Sequence, residues 1–390
     1  MALVSEISQP LATERVSLEA AAGRVLREPV CAPEDQPPFD RSAVDGFAIR
    51  LDDSSSQFSV VDEIRAGDWK PRELQHGETI RISTGGALPG DNLQVVMKED
   101  VQADGDTIRI AQRGKSRNIR FRGEDARAGQ VLVESGTTLQ PGTLALLASV
   151  GQAKPLVTRI PRVLHLATGN EIVAPEQTPQ HGQIRDSNSI FVRAFLQPWH
   201  LEPEQQRLPE DEAVARAKLQ TSNSKLPTAD LLLISGGASV GEHDFTRRLL
   251  EHFGFEILAS KTSLRPGKPL IVARRGNAIA FGLPGNPLAH FVCLNLFVRV
   301  ALERFSGVSA TPVFQQGTLA ANLEAGRNAR ETFWPARFKL KNGRPELTPL
   351  RWSSSGDLTS LALANALIRV APGAADLTVG APVEFVPTIF

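Results

Sequence analysis

Between residues 162 and 308, short apolar runs alternate with segments of helical periodicity, and this alternation constrains the fold more than any other feature. The apolar runs are RVLHLAT, LLLIS, PLIVA and AIAFGL. Helical spacing occurs at 187–197, at 210–220 and in the long apolar segment PLAHFVCLNLFVRVALERF. Strands that alternate with helices form a parallel sheet, because each helix returns the chain to the same edge. The segment therefore predicts a doubly wound, mainly parallel α/β domain.

The rest of the chain has a sequence pattern typical of β-rich domains joined by a helical part. Short β-type runs such as ETIRIST and LQVVMKED alternate with turns before residue 135, and ARFKL, ALIRVAP and PVEFVP do so in the tail. The segment ERVSLEAAAGRVLR at 14–27 has helical spacing, and PGTLALLASVG predicts a short helix capped by Gly151. The predicted fold class is α/β plus β in four domains: a helical/linker domain of 1–38 and 136–161, a β-rich domain of 39–135, an α/β domain of 162–308, and a small C-terminal β domain of 309–390.

Composition argues against several classes of protein. Lys plus Arg and Asp plus Glu both number 43, so the chain lacks the basic field of a bulk nucleic-acid binder. The two cysteines, Cys31 and Cys293, form no CxxC pair, which argues against a disulfide framework or a structural zinc site. The first residues do not predict a signal peptide, and the sequence contains no run of 18 apolar residues. We expect a cytoplasmic protein with neither nucleic acid nor membrane as a partner.

Three polar loops follow predicted strands, at 168–171, 235–241 and 282–287. Ligands of open α/β sheets gather at the carboxyl ends of the strands. The loop SGGASVG at 235–241 is glycine-rich, and glycines let a backbone approach a phosphate closely. It matches neither the P-loop nor the dinucleotide fingerprint, and on the residues alone a phosphate loop and a turn without ligand stay equally open.

Charged residues near these loops also allow two interpretations. Glu242 and Asp244 directly follow the glycine-rich loop, where carboxylates could hold magnesium, although an Asp before a helix is more commonly an N-cap. The turn RPGKP at 265–269 presents two cations on a proline-stiffened backbone. Its alternative interpretation is an ordinary solvated turn.

Nine segments in order resemble the signature motifs of the molybdopterin molybdenumtransferase family, which includes the corresponding part of gephyrin. They are FDRSAVDGFA, TGGALP, NIRFRGED, ATGNEI, GQIRDSN, SGGASVGEHDFT, RPGKP, GLPGNPLA and SSGDLTSLALAN. The match runs from Pro38 to about Asn365 and so covers most of the chain.

The resemblance implies an elongated homodimer of four-subdomain chains, in which the α/β domain of one subunit faces the β-rich domain of the other. It implies ligation of molybdate to the dithiolene of adenylyl-molybdopterin with release of AMP, assisted by Mg2+. Contact with the pterin adenylyltransferase that supplies the substrate is a further expectation.

The resemblance also implies roles for individual residues. The implied catalytic residues are Asp45, Thr84, Asp125, Glu171, Asp244 and Lys268, of which Glu171 and Asp244 would also hold the metal. The implied substrate-binding residues are Asp186, Ser187, Ser235, Gly236, Gly237, Ser239, Arg265, Arg330 and Ser355.

The chain departs from the family pattern at several of these motifs. Asn170 stands where the family has Asp, Arg265 where it has Lys, Ala289 where it often has Ser, and Pro335 in place of an arginine. Ala289 and Pro335 motivate an alternative, a non-catalytic paralogue that acts as a pterin carrier or scaffold. A related pterin adenylyltransferase or nucleotide hydrolase would share the glycine-rich loop, but it leaves residues 38–125 and the tail unexplained.

Overall fold

A computed structural model describes residues 1–221, 226–237, 245–308 and 314–388. The chain divides into two compact units. One consists of Met1–Arg27, Gly136–Gln140 and Leu156–Phe390, and the other of Glu28–Ser135 and Pro141–Pro155. The four-domain division above is finer and stays a prediction.

A six-stranded sheet lies at the centre of the first unit. Its strands run in the order Glu204–Leu208, Val163–Thr168, Leu231–Ser235, Ala278–Leu283, Ile271–Arg275 and Glu256–Ala259. The first four are mutually parallel, and the fifth is antiparallel to both of its neighbours. The predicted mainly parallel sheet is confirmed.

Both faces of this sheet are buried, which explains why its central strands are apolar throughout. Leu231 and Leu233 pack into one core and Leu232 and Ile234 into a second. The covering helices are Asn188–Leu196, Glu212–Leu219, Phe245–His252, Pro287–Cys293 and Arg299–Ser306, the last two joined by a π-helical segment, Leu294–Val298. The helices expected at 187–197 and 210–220 are therefore confirmed.

The tail forms a small closed β structure in the same unit. Strands Glu331–Lys341, Arg344–Pro349, Gln315–Leu319, Pro382–Pro387 and Ala366–Val370 pair in this order, and the last pairs back with the first. Strand Leu264–Arg265 joins the edge of Glu331–Lys341 in parallel. This pairing attaches the RPGKP turn to the tail sheet.

The second unit contains the segment that the sequence predicted to be β-rich. Its six-stranded sheet has the order Leu93–Met97, Gly46–Arg50, Glu78–Ile82, Gln57–Ile64, Thr107–Ile110 and Val101–Asp104. Two short pairs accompany it, Arg41–Ser42 with Ile119–Arg120 and Val30–Cys31 with Val131–Val133. Helix Pro141–Ser149 ends before Gly151, whose φ is 75°, as expected for a glycine cap.

The predicted helix at 14–27 is wrong. Thr13–Arg15 is a strand paired with Leu156–Thr158, and only Leu18–Ala21 is helical, with Ser17 as its N-cap. The helix ends because Gly23 adopts a φ of 73°, after which Val25 and Leu26 pair with distant backbone. Long-range pairing thus overrides the local alanine-rich pattern.

The remaining short elements complete the described chain. They are helices Ala2–Ile7 and Leu358–Leu361, the paired strands Ile172–Val173 and Ile184–Arg185, and the 3-10 turns Lys98–Asp100, Gln197–Trp199 and Leu226–Thr228. Within the described ranges, none of the helices has the length and apolar character needed to cross a membrane.

Candidate active site

The three loops singled out in the sequence meet at the carboxyl edge of the parallel sheet. Ser235 is in register with Ala167 on one neighbouring strand and with Leu283 on the other. The Gly236 N–H donates to the Leu283 carbonyl at 3.2 Å, and Thr168 Oγ1 donates to the Ser235 carbonyl at the same distance. The predicted convergence of these loops is confirmed.

Gly236 and Gly237 occupy positions that packing reserves for glycine. Their φ values are 90° and 62°. A Cβ at Gly236 would lie 2.5 Å from the Thr168 carbonyl oxygen, and one at Gly237 would lie 3.0 Å from the hydroxyls of Thr168 and Thr246. Packing thus excludes a side chain at both positions. Ser239 and Asp244 lie outside the described residues, so their roles stay predictions.

The acidic residue of the first loop lies close to a second carboxyl group. The Glu171 carboxylate folds back over Gly169, where an added Cβ would lie 2.5 Å from Oε2. Burial, and then the charge of Glu171, raise the pKa of Glu210. Asn170 Oδ1 accepts a hydrogen bond of 3.1 Å from the Glu210 N–H. Asn170, which stands where the family has Asp, thus links the 168–171 loop to the backbone at Glu210.

Asp186 is buried and engaged within the protein. It accepts hydrogen bonds from the N–H and hydroxyl of Ser189, at 3.0 and 2.6 Å, and from Arg207 Nε at 3.1 Å. Burial raises the pKa of Asp186, but these bonds outweigh it and hold the pKa below its ordinary value. Asp186 therefore anchors the start of helix Asn188–Leu196, whereas Ser187, half-buried at the N-cap, makes no side-chain cap bond.

The cationic turn lies beside the helix that follows the GLPGNP loop. Gly267 has a φ of 116°, and an added Cβ would lie 3.2 Å from Cys293 Sγ. The Arg265 guanidinium lies 5.2 Å from the ring centroid of Trp352, and Arg330 Nη1 donates to the Leu264 carbonyl at 3.1 Å. The Lys268 side chain is exposed and has no ion pair within the described part of the chain.

Ser355 brings the tail to the same loops. Asn286 Nδ2 donates to Ser355 Oγ at 2.9 Å, and the Leu288 N–H donates to the Ser355 carbonyl at 2.9 Å. Asn188 Nδ2 donates to the Gly285 carbonyl at 2.8 Å. Within the first unit, the predicted residues around the glycine-rich loop, the cationic turn and the tail are therefore linked by a continuous set of contacts.

The predicted residues of the second unit form two clusters of their own. The N–H and hydroxyl of Thr84 both donate to Asp45 Oδ1 at 2.8 Å, and Lys98 Nζ lies 3.4 Å from Oδ2. These three bonds, with the Thr84 N–H contributing most, lower the pKa of Asp45. Asp125 is instead paired with Arg120.

Sequence reasoning did not select His165, Gln205 or Asn286. Asn286 lies in a loop that the sequence did single out, but its contact with Ser355 spans 69 residues. A lone histidine in an apolar strand gives no functional signal, yet His165 is fully buried and hydrogen-bonded to Ser235.

Comparisons with known proteins agree with this architecture. Residues 1–151 match the model of the MoeA N-terminal region (domain I and II), 165–304 a probable molybdopterin binding domain, and 316–388 the MoeA C-terminal region (domain IV).

Individual relatives extend over nearly the whole chain. A molybdopterin molybdenumtransferase from Staphylococcus aureus is 31% identical over 96% of this chain and 90% of its own length. One from Haemophilus influenzae is 36% identical over 78% and 76%. The crystal structure of a molybdopterin biosynthesis MoeA protein from Pyrococcus horikoshii superposes with a TM-score of 0.78 at 28% identity, covering 99% of this chain and 97% of that one. The chain therefore belongs to the molybdopterin molybdenumtransferase family of enzymes.

Proposed function

We propose that this enzyme of molybdenum cofactor biosynthesis ligates molybdate to the dithiolene of adenylyl-molybdopterin and releases AMP. The observation that carries the proposal is the glycine backbone at Gly236–Gly237, held at a sheet edge beside the GLPGNP loop and Ser355. A glycine-rich backbone allows phosphate oxygens to approach closely. The exposed ammonium of Lys268 adds positive charge on a neighbouring turn, and both ligands in the proposed reaction are anions.

The candidate residues fall into groups with different proposed roles. Ser235, Gly236, Gly237 and Ser187 would hold the pterin and its phosphates, with Ser239 next to them in sequence. Lys268 and Arg265 would bind oxyanions, and Arg330 acts through the Leu264 carbonyl to support that turn. Asp186 serves this site by fixing the helix that bears Ser187 and Asn188.

Mg2+ would be held jointly by protein and ligand. Magnesium is usually bound by one or two carboxylates together with substrate phosphates. Glu171 offers one such carboxylate, and Asp244 is the second one proposed. No group of three or more His, Cys, Asp or Glu side chains in the described ranges could hold a metal ion. Glu171 therefore fits a site shared with the phosphates of the ligand, and the ion would neutralise phosphate charge there.

We further propose a cytoplasmic homodimer in which Asp45, Thr84 and Asp125 complete the site of the partner subunit. The Asp45–Thr84 pair supports this role, because it holds an exposed carboxylate charged and fixed in orientation. The pterin adenylyltransferase that supplies the substrate is the proposed protein partner. Sedimentation equilibrium of the purified chain tests the dimer, and a monomer at micromolar concentration would contradict it.

Three assays with the purified enzyme separate the candidate functions. The proposal predicts release of AMP from adenylyl-molybdopterin that depends on added molybdate. A carrier or scaffold would bind the pterin without releasing AMP. An adenylyltransferase would release pyrophosphate from ATP in the presence of molybdopterin. Absence of molybdate-dependent AMP release under anaerobic conditions would overturn the proposal.

A further inference from the structure

A chain of buried hydrogen bonds runs beneath the glycine-rich loop. His165 lies on the central strand Val163–Thr168 with no exposed surface. Its Nε2 is 2.6 Å from Ser235 Oγ, and its Nδ1 is 3.0 Å from Gln205 Nε2. The direction of these bonds decides what the Ser235 hydroxyl can do.

The surroundings of Gln205 fix the orientation of its amide. Arg193 donates to Gln205 Oε1 from Nε at 3.3 Å and from Nη2 at 3.0 Å. The Ser189 carbonyl accepts from Gln205 Nε2 at 2.8 Å. A guanidinium can only donate and a carbonyl can only accept, so the reversed amide would lose these bonds. Gln205 therefore presents an N–H to His165.

This N–H selects the tautomer of the histidine. Burial, and secondarily His290, lower the pKa of His165 to about 3, so the ring is neutral and carries one proton. Because Nδ1 accepts from Gln205, that proton resides on Nε2 and is donated to Ser235 Oγ. Arg193, Gln205 and His165 thus form a directional relay that ends at Ser235.

The relay leaves the proton of the Ser235 hydroxyl for an acceptor other than His165. Ser235 Oγ has no hydrogen-bond partner other than His165 in the described ranges, although the residue is buried at the strand end beside Gly236. A histidine that activated a serine as nucleophile would have to accept at Nε2, which is the opposite direction. We propose that the relay fixes Ser235 as a hydrogen-bond donor to a phosphate oxygen of the pterin ligand, with His165 and Gln205 as positioning residues. This inference rests on the proposed function for the identity of the ligand.

A competing acceptor exists inside the protein. His290 is fully buried and its Nδ1 lies 3.1 Å from the Pro284 carbonyl, while its Nε2 has no partner among the described atoms. A water molecule between Ser235 and His290 Nε2 would take the serine proton and leave Ser235 without a role toward the ligand. The experiments below distinguish these two arrangements.

The first experiment measures the tautomer without any ligand. Nitrogen-15 solid-state NMR of histidine-labelled protein, assigned with His165→Phe, should show His165 protonated at Nε2 only. In Gln205→Glu, the carboxylate accepts from the ring, so the proton should move to Nδ1. An Nδ1 proton in the unaltered protein would overturn the relay. Since this signal does not depend on activity, it stands apart from failure of the proposed function.

The second experiment is a double-mutant cycle on the affinity for molybdopterin, measured by anaerobic calorimetry. Ser235→Ala should weaken binding about tenfold to a hundredfold, since one hydrogen bond to a charged oxygen is lost. Gln205→Glu should weaken it similarly, because the reversed tautomer takes the serine proton. The double variant should bind no more weakly than Ser235→Ala. Unchanged affinity in Ser235→Ala, or additive losses, would overturn the inference. If the unaltered protein fails to bind molybdopterin at all, the proposed function fails, and the NMR result alone decides the relay.

Discussion

The Asn286 amide donates a 2.9 Å hydrogen bond to the Ser355 hydroxyl, which joins the GLPGNP loop to the tail. The Leu288 N–H bonds the Ser355 carbonyl as well, so the serine is held through both its backbone and its side chain. A tail residue is therefore placed at the start of helix Pro287–Cys293, next to the turn that carries Lys268.

Replacing Ser355 by alanine should separate a structural role of its hydroxyl from a role in ligand binding. Ser355→Ala keeps the backbone bond, so the free energy of unfolding should fall by less than about 1.5 kcal/mol. We expect the rate of molybdate-dependent AMP release to fall about tenfold if the hydroxyl also contacts the ligand. Ser353→Ala, an exposed neighbour, is the control and should change neither quantity. Full activity in Ser355→Ala would assign the hydroxyl to structure alone.

Gly236→Ala tests whether position 236 tolerates a side chain. The substitution combines an unfavourable positive φ with a clash against a backbone oxygen 2.5 Å away. Gly276→Ala is the matched control, because Gly276 has a φ of 57° and nothing within 4 Å of an added Cβ. Chemical denaturation should show a loss of about 1–2 kcal/mol for the control and a larger one for Gly236→Ala. Equal losses would show that the Thr168 backbone yields readily.

The sequence predicted the sheet and the meeting of its loops because both follow from local periodicity and from the parallel arrangement. It did not predict the end of the helix at Ala21, since the backbone of Val25 and Leu26 pairs with Thr138 and Val157, more than a hundred residues away. The His165–Ser235 bond also joins residues 70 apart in sequence. Such contacts depend on strand order and side-chain direction, which a single apolar run does not encode.

Lys268→Ala should impair catalysis without affecting folding. The Lys268 carbonyl accepts from Thr262 and Leu270, and these backbone bonds survive the substitution. Its ammonium has no ion pair within the described ranges, so the melting temperature should stay unchanged. We expect kcat/KM for AMP release to fall about tenfold to a hundredfold, with incomplete rescue in Lys268→Arg. Lys261→Ala, which removes another exposed lysine before the same turn, is the control. A lower melting temperature that accounts for the lost activity would remove Lys268 from the site.

Asp53 should give the second unit a distinct acid sensitivity. The residue is buried, and burial opposes its charge, but the N–H groups of Gly77 and Ser55 donate at 2.7 and 2.9 Å and lower the pKa from 3.8 to about 2. Its stabilising contribution is therefore present above pH 4 and is lost as the pH falls toward 2. Asp53→Asn should cost on the order of 2 kcal/mol at pH 7 and progressively less below pH 4. Urea unfolding at pH 7 and below pH 4, with the exposed Asp104→Asn in the same unit as control, checks this. A cost independent of pH would show that charge is not its origin.

The Glu171–Glu210 pair offers a test of magnesium binding that does not depend on turnover. Burial and the Glu171 charge raise the pKa of Glu210. The contribution of Glu210 to the free energy of unfolding is therefore present below the unfolded-state pKa of Glu210. It is lost as the pH rises through the folded-state pKa. A bound divalent cation would offset the repulsion between the Glu171 and Glu210 carboxylates, and this repulsion grows as the pH rises. Mg2+ should then raise the melting temperature at pH 7.5 more than at pH 5, at constant ionic strength. Glu171→Gln should abolish most of this increase, whereas Glu176→Gln, an exposed neighbour, should retain it. An undiminished Mg2+ effect in Glu171→Gln would place the ion elsewhere.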